Sequence, residues 1–331
     1  MNKILKITLS ILLVSMFFIS NAQRDPHFSQ PINGPLTLNP AMMALHNDFR
    51  AIFNYRNQWG NINKGYQTYA GTLMYPVFLK SKKDSLRMHR LDLGVNILYD
   101  KAGALKRVNG TFSVAYGLHL NAANLVSAAL NIGFENYGVN WNDQTFVEQF
   151  VNGSFDSDNL TGENPAGQRW AADVGFGLLW RFTPEKGILH AFAGVSGYHL
   201  NQPNLSLTGG SARLPSRYNF QAGLKVVSKK VDFIPVLMFN HQSSFDQVVA
   251  GFLLNYKISE KAGKIVAGSW YNSKEAIPVQ VGYEHPNFGV HYSYDFGISA
   301  LTRNTKGIMA HEVSVVLKWE SKKGNKGIAF F

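Results

Sequence analysis

The sequence predicts an all-β fold, a transmembrane β-barrel of about fourteen antiparallel strands, on three observations. Segments of about ten residues alternate apolar with polar or small residues. Aromatic residues gather near the ends of those segments, and a leader exports the chain.

The leader comes first. Lys3 and Lys6 precede an apolar run from Ile7 to Ile19, and Ser20-Asn21-Ala22 follows. A charged start, an apolar centre too short for a membrane-spanning helix and small residues at the end are the marks of a signal peptide, with cleavage expected after Ala22. The chain has no cysteine, which excludes a lipidated cysteine anchor, disulfides, thiol nucleophiles and cysteine metal sites. No later stretch approaches the roughly 18 to 20 consecutive apolar residues of a transmembrane helix.

Removing a 22-residue leader from 331 residues leaves 309, enough for one large all-β domain. The formal charge of +11 falls to +9 without Lys3 and Lys6. Its positive residues are scattered, and an exported chain does not meet nucleic acid, so no nucleic-acid partner is expected. The exception to the scatter is the C-terminal stretch with Lys318, Lys322, Lys323 and Lys326, which reads as a solvated end or as a contact for an acidic partner or lipid headgroups.

The strands follow in order. Leu91, Leu93, Val95, Ile97 and Tyr99 share one face of a segment whose other face carries Asp92, Gly94 and Asn96. Val174-Phe176-Leu178-Trp180, Val279-Val281-Tyr283, Val290-Tyr292-Tyr294-Phe296 and Val313-Val315-Leu317-Trp319 repeat the pattern, and charged residues keep to the opposite face. Strands are expected near 48–57, 67–75, 90–99, 109–119, 124–137, 169–181, 189–200, 217–228, 232–242, 246–258, 264–271, 276–284, 288–296 and 311–320. A soluble sandwich also alternates. The barrel is favoured because Tyr55, Trp59, Tyr69, Tyr75, Tyr99, Trp180 and Trp319 fall at or near strand ends, as interfacial girdles do.

This gives a division into a leader (1–22), an N-terminal plug or rim segment (23–47), a barrel (48–320) and a basic tail (321–331). Pro26, Pro31, Pro35 and Pro40 keep residues 23–47 from pairing as a strand. Asp25-Pro26-His27 and Asn39-Pro40-Ala41 read as turns or caps.

Catalytic and cofactor patterns fail one by one. His311-Glu312 has Val315 where a zinc-protease helix needs its second histidine, and it lies on a strand. Gly194-Val195-Ser196-Gly197 lacks the spacing of a nucleophile elbow. Gly175-Phe176-Gly177 has Trp180 in place of the third glycine of a dinucleotide fingerprint. His119, His199, His241 and His291 stand alone on alternating strands, as lumen or interface histidines do. Asp156-Ser157-Asp158-Asn159 lacks the glycine and distal glutamate of an EF-hand loop. No catalytic residue, cofactor or metal is therefore expected. Arg56 and Arg217 are expected to point into a polar lumen and pair with Asp92, Asp173 or Glu284.

The stretch QRDPHFSQPINGPLTLNPA at Gln23 to Ala41 resembles the opening of the PorP/SprF family of outer-membrane proteins of the type IX secretion system in Bacteroidota. YRNQW at Tyr55, YQTY at Tyr66, LYDKAG at Leu98, DVGFGLLW at Asp173, YHLNQPN at Tyr198, LPSRY at Leu214, GYEHPNFGVHYSYD at Gly282 and HEVSVVL at His311 follow in family order. Gly60 stands where the family pattern has proline. The resemblance implies a non-catalytic barrel serving type IX translocation. Its implied partners are periplasmic ring components or the translocon, or one large secreted adhesin, including in gliding motility. Tyr198, His199, Leu200, Asn201, Gln202, Pro203 and Asn204, where a strand meets a loop, are expected to be a partner contact or a structural motif. A diffusion channel or substrate-specific transporter is the alternative.

Overall fold

The computed structural model describes residues 25–60, 65–79, 89–140, 147–151, 153–156, 167–273, 275–298, 308–319 and 330–331. The expected leader, Asp158-Asn159 and Lys322, Lys323 and Lys326 lie outside them.

Fourteen antiparallel strands close into one barrel. The wall begins with β1 (Phe49–Gln58), β2 (Tyr66–Leu79), β3 (His89–Ala102), β4 (Leu105–His119) and β5 (Asn124–Val139). A two-stranded hairpin, β6 (Phe150–Val151) and β7 (Ser154–Phe155), stands apart in the following connection. The wall resumes with β8 (Gln168–Phe182), β9 (Leu189–Tyr198), β10 (Arg217–Val226), β11 (Val231–Gln242) and β12 (Phe245–Ser259). It ends with β13 (Gly263–Asn272), β14 (Ala276–Glu284), β15 (Phe288–Gly297) and β16 (Ile308–Trp319). β16 pairs with β1, Phe49 opposite Trp319 and Arg56 opposite Glu312, so neither strand is left as an edge.

The two-residue period sets which side chains meet the lumen. On β5, Leu130 and Ile132 are 70% and 59% exposed, while Ser127, Ala129 and Asn131 between or beside them are buried. The apolar face is thus the outer one, the reverse of a soluble sandwich, and it matches a lipid-facing wall. Rings form two belts on it. Tyr55, Tyr69 and Tyr99 meet in tilted ring pairs across β1, β2 and β3. Phe49 lies against Trp319 and Tyr75 at the other end of the same strands.

The packed core lies inside the barrel. Residues 25–47 run through the lumen and bury Leu36, Ala41, Met42, Met43, Ala44 and Leu45 against Ile52, Met74, Leu125, Leu179 and Trp270. Fully burying a side chain of the size of Leu or Met contributes about 1.5–3 kcal/mol, so this segment is held as firmly as an ordinary core element. Prolines shape it: Pro31, Pro35 and Pro40 each open a short helical turn, Pro31–Asn33, Pro35–Leu38 and Pro40–Leu45. A proline at the first helical position costs no hydrogen bond. Asn39 caps the last turn, its Oδ1 accepting from the Ala41 N–H at 2.8 Å. Its Nδ2 donates to Leu178 O and Val195 O in the wall, at 3.1 and 3.2 Å.

Glycines make that approach possible. A Cβ at Gly177 would lie 2.1 Å from Asn39 Oδ1 and 2.9 Å from Pro40 Cδ, and one at Gly94 2.7 Å from Met43 Sδ. Gly177→Ala is therefore expected to cost about 1–3 kcal/mol by overpacking. The temperature of the heat-dependent gel-mobility shift in detergent should fall. Gly71→Ala, where the nearest atom to a new Cβ is 3.9 Å away, should leave it unchanged.

Candidate functional site

Three charged clusters in the lumen hold the N-terminal segment. The first joins it to β4, β5, β8, β10 and the 199–216 connection. Arg107 donates through Nη1 to Asp25 Oδ1 at 2.7 Å and through Nη2 and Nε to the two oxygens of Glu135 at 2.8 and 2.9 Å. Arg217 Nη1 lies 2.9 Å from Asp25 Oδ2 and Nη2 donates to Thr37 O at 2.8 Å. His199 completes it, with Nε2 2.8 Å from Asp25 Oδ2 and Nδ1 2.9 Å from Asp173 Oδ1.

The chemistry of His199 follows from its two neighbours. Both are carboxylates, which accept hydrogen bonds, so both ring nitrogens must donate and the ring is an imidazolium. Burial pushes its pKa down, but Asp25 and Asp173 outweigh burial and raise it to about 9. Burial likewise pushes Asp25 up, while His199, Arg107 and Arg217 hold it well below the usual carboxylate range. Three carboxylates thus face three cations. Glu135, Asp173 and His199 place ligand-type atoms within 4.8 Å of one another. A doubly donating imidazolium has no lone pair for a metal and no free nitrogen for general base chemistry. The cluster is a clamp.

The second clamp is at β1, β15 and β16. Arg56 Nη1 lies 2.9 Å from Asp295 Oδ2 and 3.5 Å from Glu312 Oε2, and it also contacts Ser29 Oγ. Glu312 accepts the backbone N–H of Ser29 and of Gln30 at 2.6 and 3.1 Å. The third is Arg90 on β3, fully buried, which bonds Asp92 and reaches Asn47 and the carbonyls of Met43, Ala44 and His46.

Asp25, Ser29, Gln30, Arg56, Asp173, His199, Arg217, Asp295 and Glu312 fall within the sequence blocks quoted above, while Arg90, Asp92, Arg107 and Glu135 lie between them. The family model of the type IX secretion system membrane protein PorP/SprF matches residues 20–317. The chain belongs to the PorP/SprF family. As a member of that family with a closed fourteen-stranded barrel, it is an outer-membrane component of the type IX secretion system. No curated protein matches it in sequence. Among solved structures, it is similar to a FadL homologue of Pseudomonas aeruginosa, with 12% identity, TM-score 0.48, and 85% of this chain and 92% of that one covered. It is also similar to the toluene transporter TbuX of Ralstonia pickettii, with 13% identity, TM-score 0.47, and 85% and 91% covered. A third is the TodX deltaS2S3 mutant, a monoaromatic hydrocarbon channel, with 10% identity, TM-score 0.49, and 86% and 92% covered.

Several expectations for this PorP/SprF protein need correction. Arg56, Asp92, Asp173, Arg217 and Glu284 do face the lumen, but not as partners of one another. Arg56 pairs across the β1–β16 seam, Asp92 with Arg90 on its own strand, Asp173 with His199, and Glu284 with Lys318 and Lys264. Arg217 pairs with Asp25, which is an ionic anchor and not a turn cap. The physical reason is that the N-terminal segment brings its own acid and its own carbonyls into the lumen, so wall residues answer to it.

The segment Tyr198–Asn204 divides. Tyr198 is buried, donates from its hydroxyl to Leu36 O at 2.7 Å and has Arg217 over its ring at 4.6 Å. His199 sits in the first clamp. Pro203 accepts from Leu214 N–H, and Asn204 bridges to Arg213. Asn201 is spent on the wall, bonding Ala172 O and Val174 N–H. Leu200 and Gln202 have exposed side chains. His199 as the central residue was missed at the sequence level; its one signal was a histidine followed at once by a chain reversal.

Proposed function

We propose that this protein is a non-catalytic assembly barrel that holds type IX secretion partners at the outer membrane. One branch of that reading is a tie to periplasmic ring components or the translocon; the other is delivery or surface attachment of one large secreted adhesin, as in gliding motility. The observation that carries it is the filled lumen. Residues 25–47 are clamped on three sides by buried ion clusters, which leaves the loops and turns as the surfaces on which partners act. That filling also weighs against the reading as an open diffusion channel, which would show itself as ion conductance of the wild-type barrel.

The chain is exported by a leader cleaved after Ala22, and it divides into an N-terminal lumen segment, the barrel and a basic tail. Orientation follows from connection lengths. The two longest, 140–167 and 199–216, lie at the end opposite Phe49 and Trp319. Outer-membrane barrels carry short turns on the periplasmic side and long loops outside. On this reading Leu200 and Gln202 face the exterior, and the end with Phe49 and Trp319 faces the periplasm.

Affinity purification of tagged protein from detergent-solubilised outer membranes, with mass spectrometry, tests this. Ring components or one giant secreted protein are expected to co-purify, and which of them appears selects the branch. Recovery of the barrel alone, in a form that conducts ions, sinks the proposal. Leu200→Asp with Gln202→Ala is expected to remove a partner held at the exterior; an unchanged set of partners would rule out this loop as the contact.

A further inference from the structure

Phe330 and Phe331 lie in the lumen at the end of the barrel where β16 finishes, and they are docked there by several independent contacts. Phe330 is fully buried. Its N–H donates to Leu45 O at 3.0 Å and its carbonyl accepts from Lys225 Nζ at 2.9 Å. Its ring meets Phe192 edge-on with centroids 4.9 Å apart, and Phe331 packs on Phe192 at 6.1 Å and on His46 at 5.8 Å. Edge-to-face geometry at these separations is the favourable arrangement for ring pairs.

The wall makes room for the Phe192 ring. The Phe192 ring lies over Gly223, where a Cβ would come within 2.3 Å of it, so β10 leaves the ring its place. Backbone partner, cationic donor and aromatic platform come from three separate elements, the N-terminal segment, β10 and β9. The pair also docks far from its own strand. In the closed order β9 stands seven strands from β16 in either direction, the opposite wall. A terminal aromatic that merely continued the outer girdle would lie beside Trp319, facing lipid.

We propose that Leu45, His46, Phe192 and Lys225 form a peptide-binding site for an extended segment with two adjacent aromatic residues, occupied here by the chain's own Phe330–Phe331. The main-chain pair to Leu45 and Lys225 is indifferent to sequence, so selectivity resides in the two rings. A partner segment of the same chemistry competes with the resident one. The site lies at the end that the connection lengths assign to the periplasm, but its existence does not depend on the proposed function.

The probe is a fluorescein-labelled synthetic peptide of residues 322–331, measured by anisotropy against full-length protein in detergent. Wild type, with its site filled, is expected to bind it at least roughly tenfold more weakly than the Phe330→Ala/Phe331→Ala variant, whose site is vacated. A peptide with both phenylalanines replaced by alanine should lose binding to that variant by more than about a hundredfold, since the Phe330 ring is fully buried and the Phe331 ring partly buried in the docked state. Adding Phe192→Ala to the variant should do the same, with the heat-dependent gel shift confirming a folded barrel. Equal binding to wild type and variant, no saturable binding to the variant, or indifference to the peptide's rings would each overturn the proposal. The peptide comparison needs no change at Phe192, so it stands even if Phe192→Ala does not fold.

Discussion

Arg90→Ala is expected to free the N-terminal segment from the wall near its junction with β1 and to give the barrel measurable ion conductance in planar bilayers. Arg90 is the residue on which that junction converges. Its Nε lies 2.9 Å from Asp92 Oδ2, Nη1 donates to Asn47 Oδ1 at 2.9 Å, and Nη2 donates to His46 O at 2.7 Å and Met43 O at 3.3 Å. Removal leaves the Asp92 carboxylate, itself buried, without the guanidinium it pairs with, and takes one donor each from the Met43 and His46 carbonyls. Breaking a buried pair from one side costs about 3–5 kcal/mol. Arg181, which donates to Ala44 O at 2.6 Å, holds the same turn. Arg90→Lys should be nearly as damaging, because a single ammonium cannot reproduce the planar fork. Arg90→Met with Asp92→Leu separates the two effects. It removes the uncompensated charge, so the gel-shift temperature should recover, while conductance should stay high because the carbonyl anchors are still lost. Low conductance in Arg90→Ala, with the barrel folded, would show that the segment needs no clamp at this end.

The fourteen strands were legible because a lipid-facing wall enforces a strict two-residue period, and every expected strand overlaps an observed one within a few residues. Ends slipped where pairing outran the pattern. β4 starts at Leu105, four residues before the expected 109, because Lys106 and Arg107 pair in register with Lys101 and Asp100 across a two-residue turn. The clamps were less legible. Period gives the face of a side chain but not its neighbours around the ring or across the lumen. Arg56 with Glu312 was nevertheless within reach: closing the barrel by pairing β1 with β16 sets them opposite each other. Asp25 was not, since its partners Arg107, His199 and Arg217 come from three distant points of the chain and are collected only by folding. Small residues offered a second signal. Gly94 and Gly177 sit on the polar face of their strands, where an empty lumen would not require them and a segment packed against the wall does.

The pH response of the first clamp should reveal whether His199 holds the N-terminal segment as a cation. Its pKa rises from 6.5 to about 9 on folding, so its contribution is complete below about 6.5 and is lost as pH climbs through about 9. Asp25 moves the other way: its contribution is present above 3.8 and is lost only as pH falls below that value. Protection of the segment is therefore expected to be greatest between about pH 4 and 6.5, and to weaken by on the order of 3 kcal/mol by about pH 9–10. Amide exchange at Asp25, whose N–H donates to Gln242 Oε1 at 3.0 Å, corrected for the intrinsic effect of pH, reads this. His199→Gln keeps donor capacity for one carboxylate but carries no proton to lose, so its profile should be flat from pH 5 to 10 and low throughout. The residual hold in that variant comes from the ion pairs of Asp25 with Arg107 and Arg217. A wild-type profile as flat as that of the variant would mean that His199 is neutral in the clamp, and that Asp25 is held by the two arginines alone.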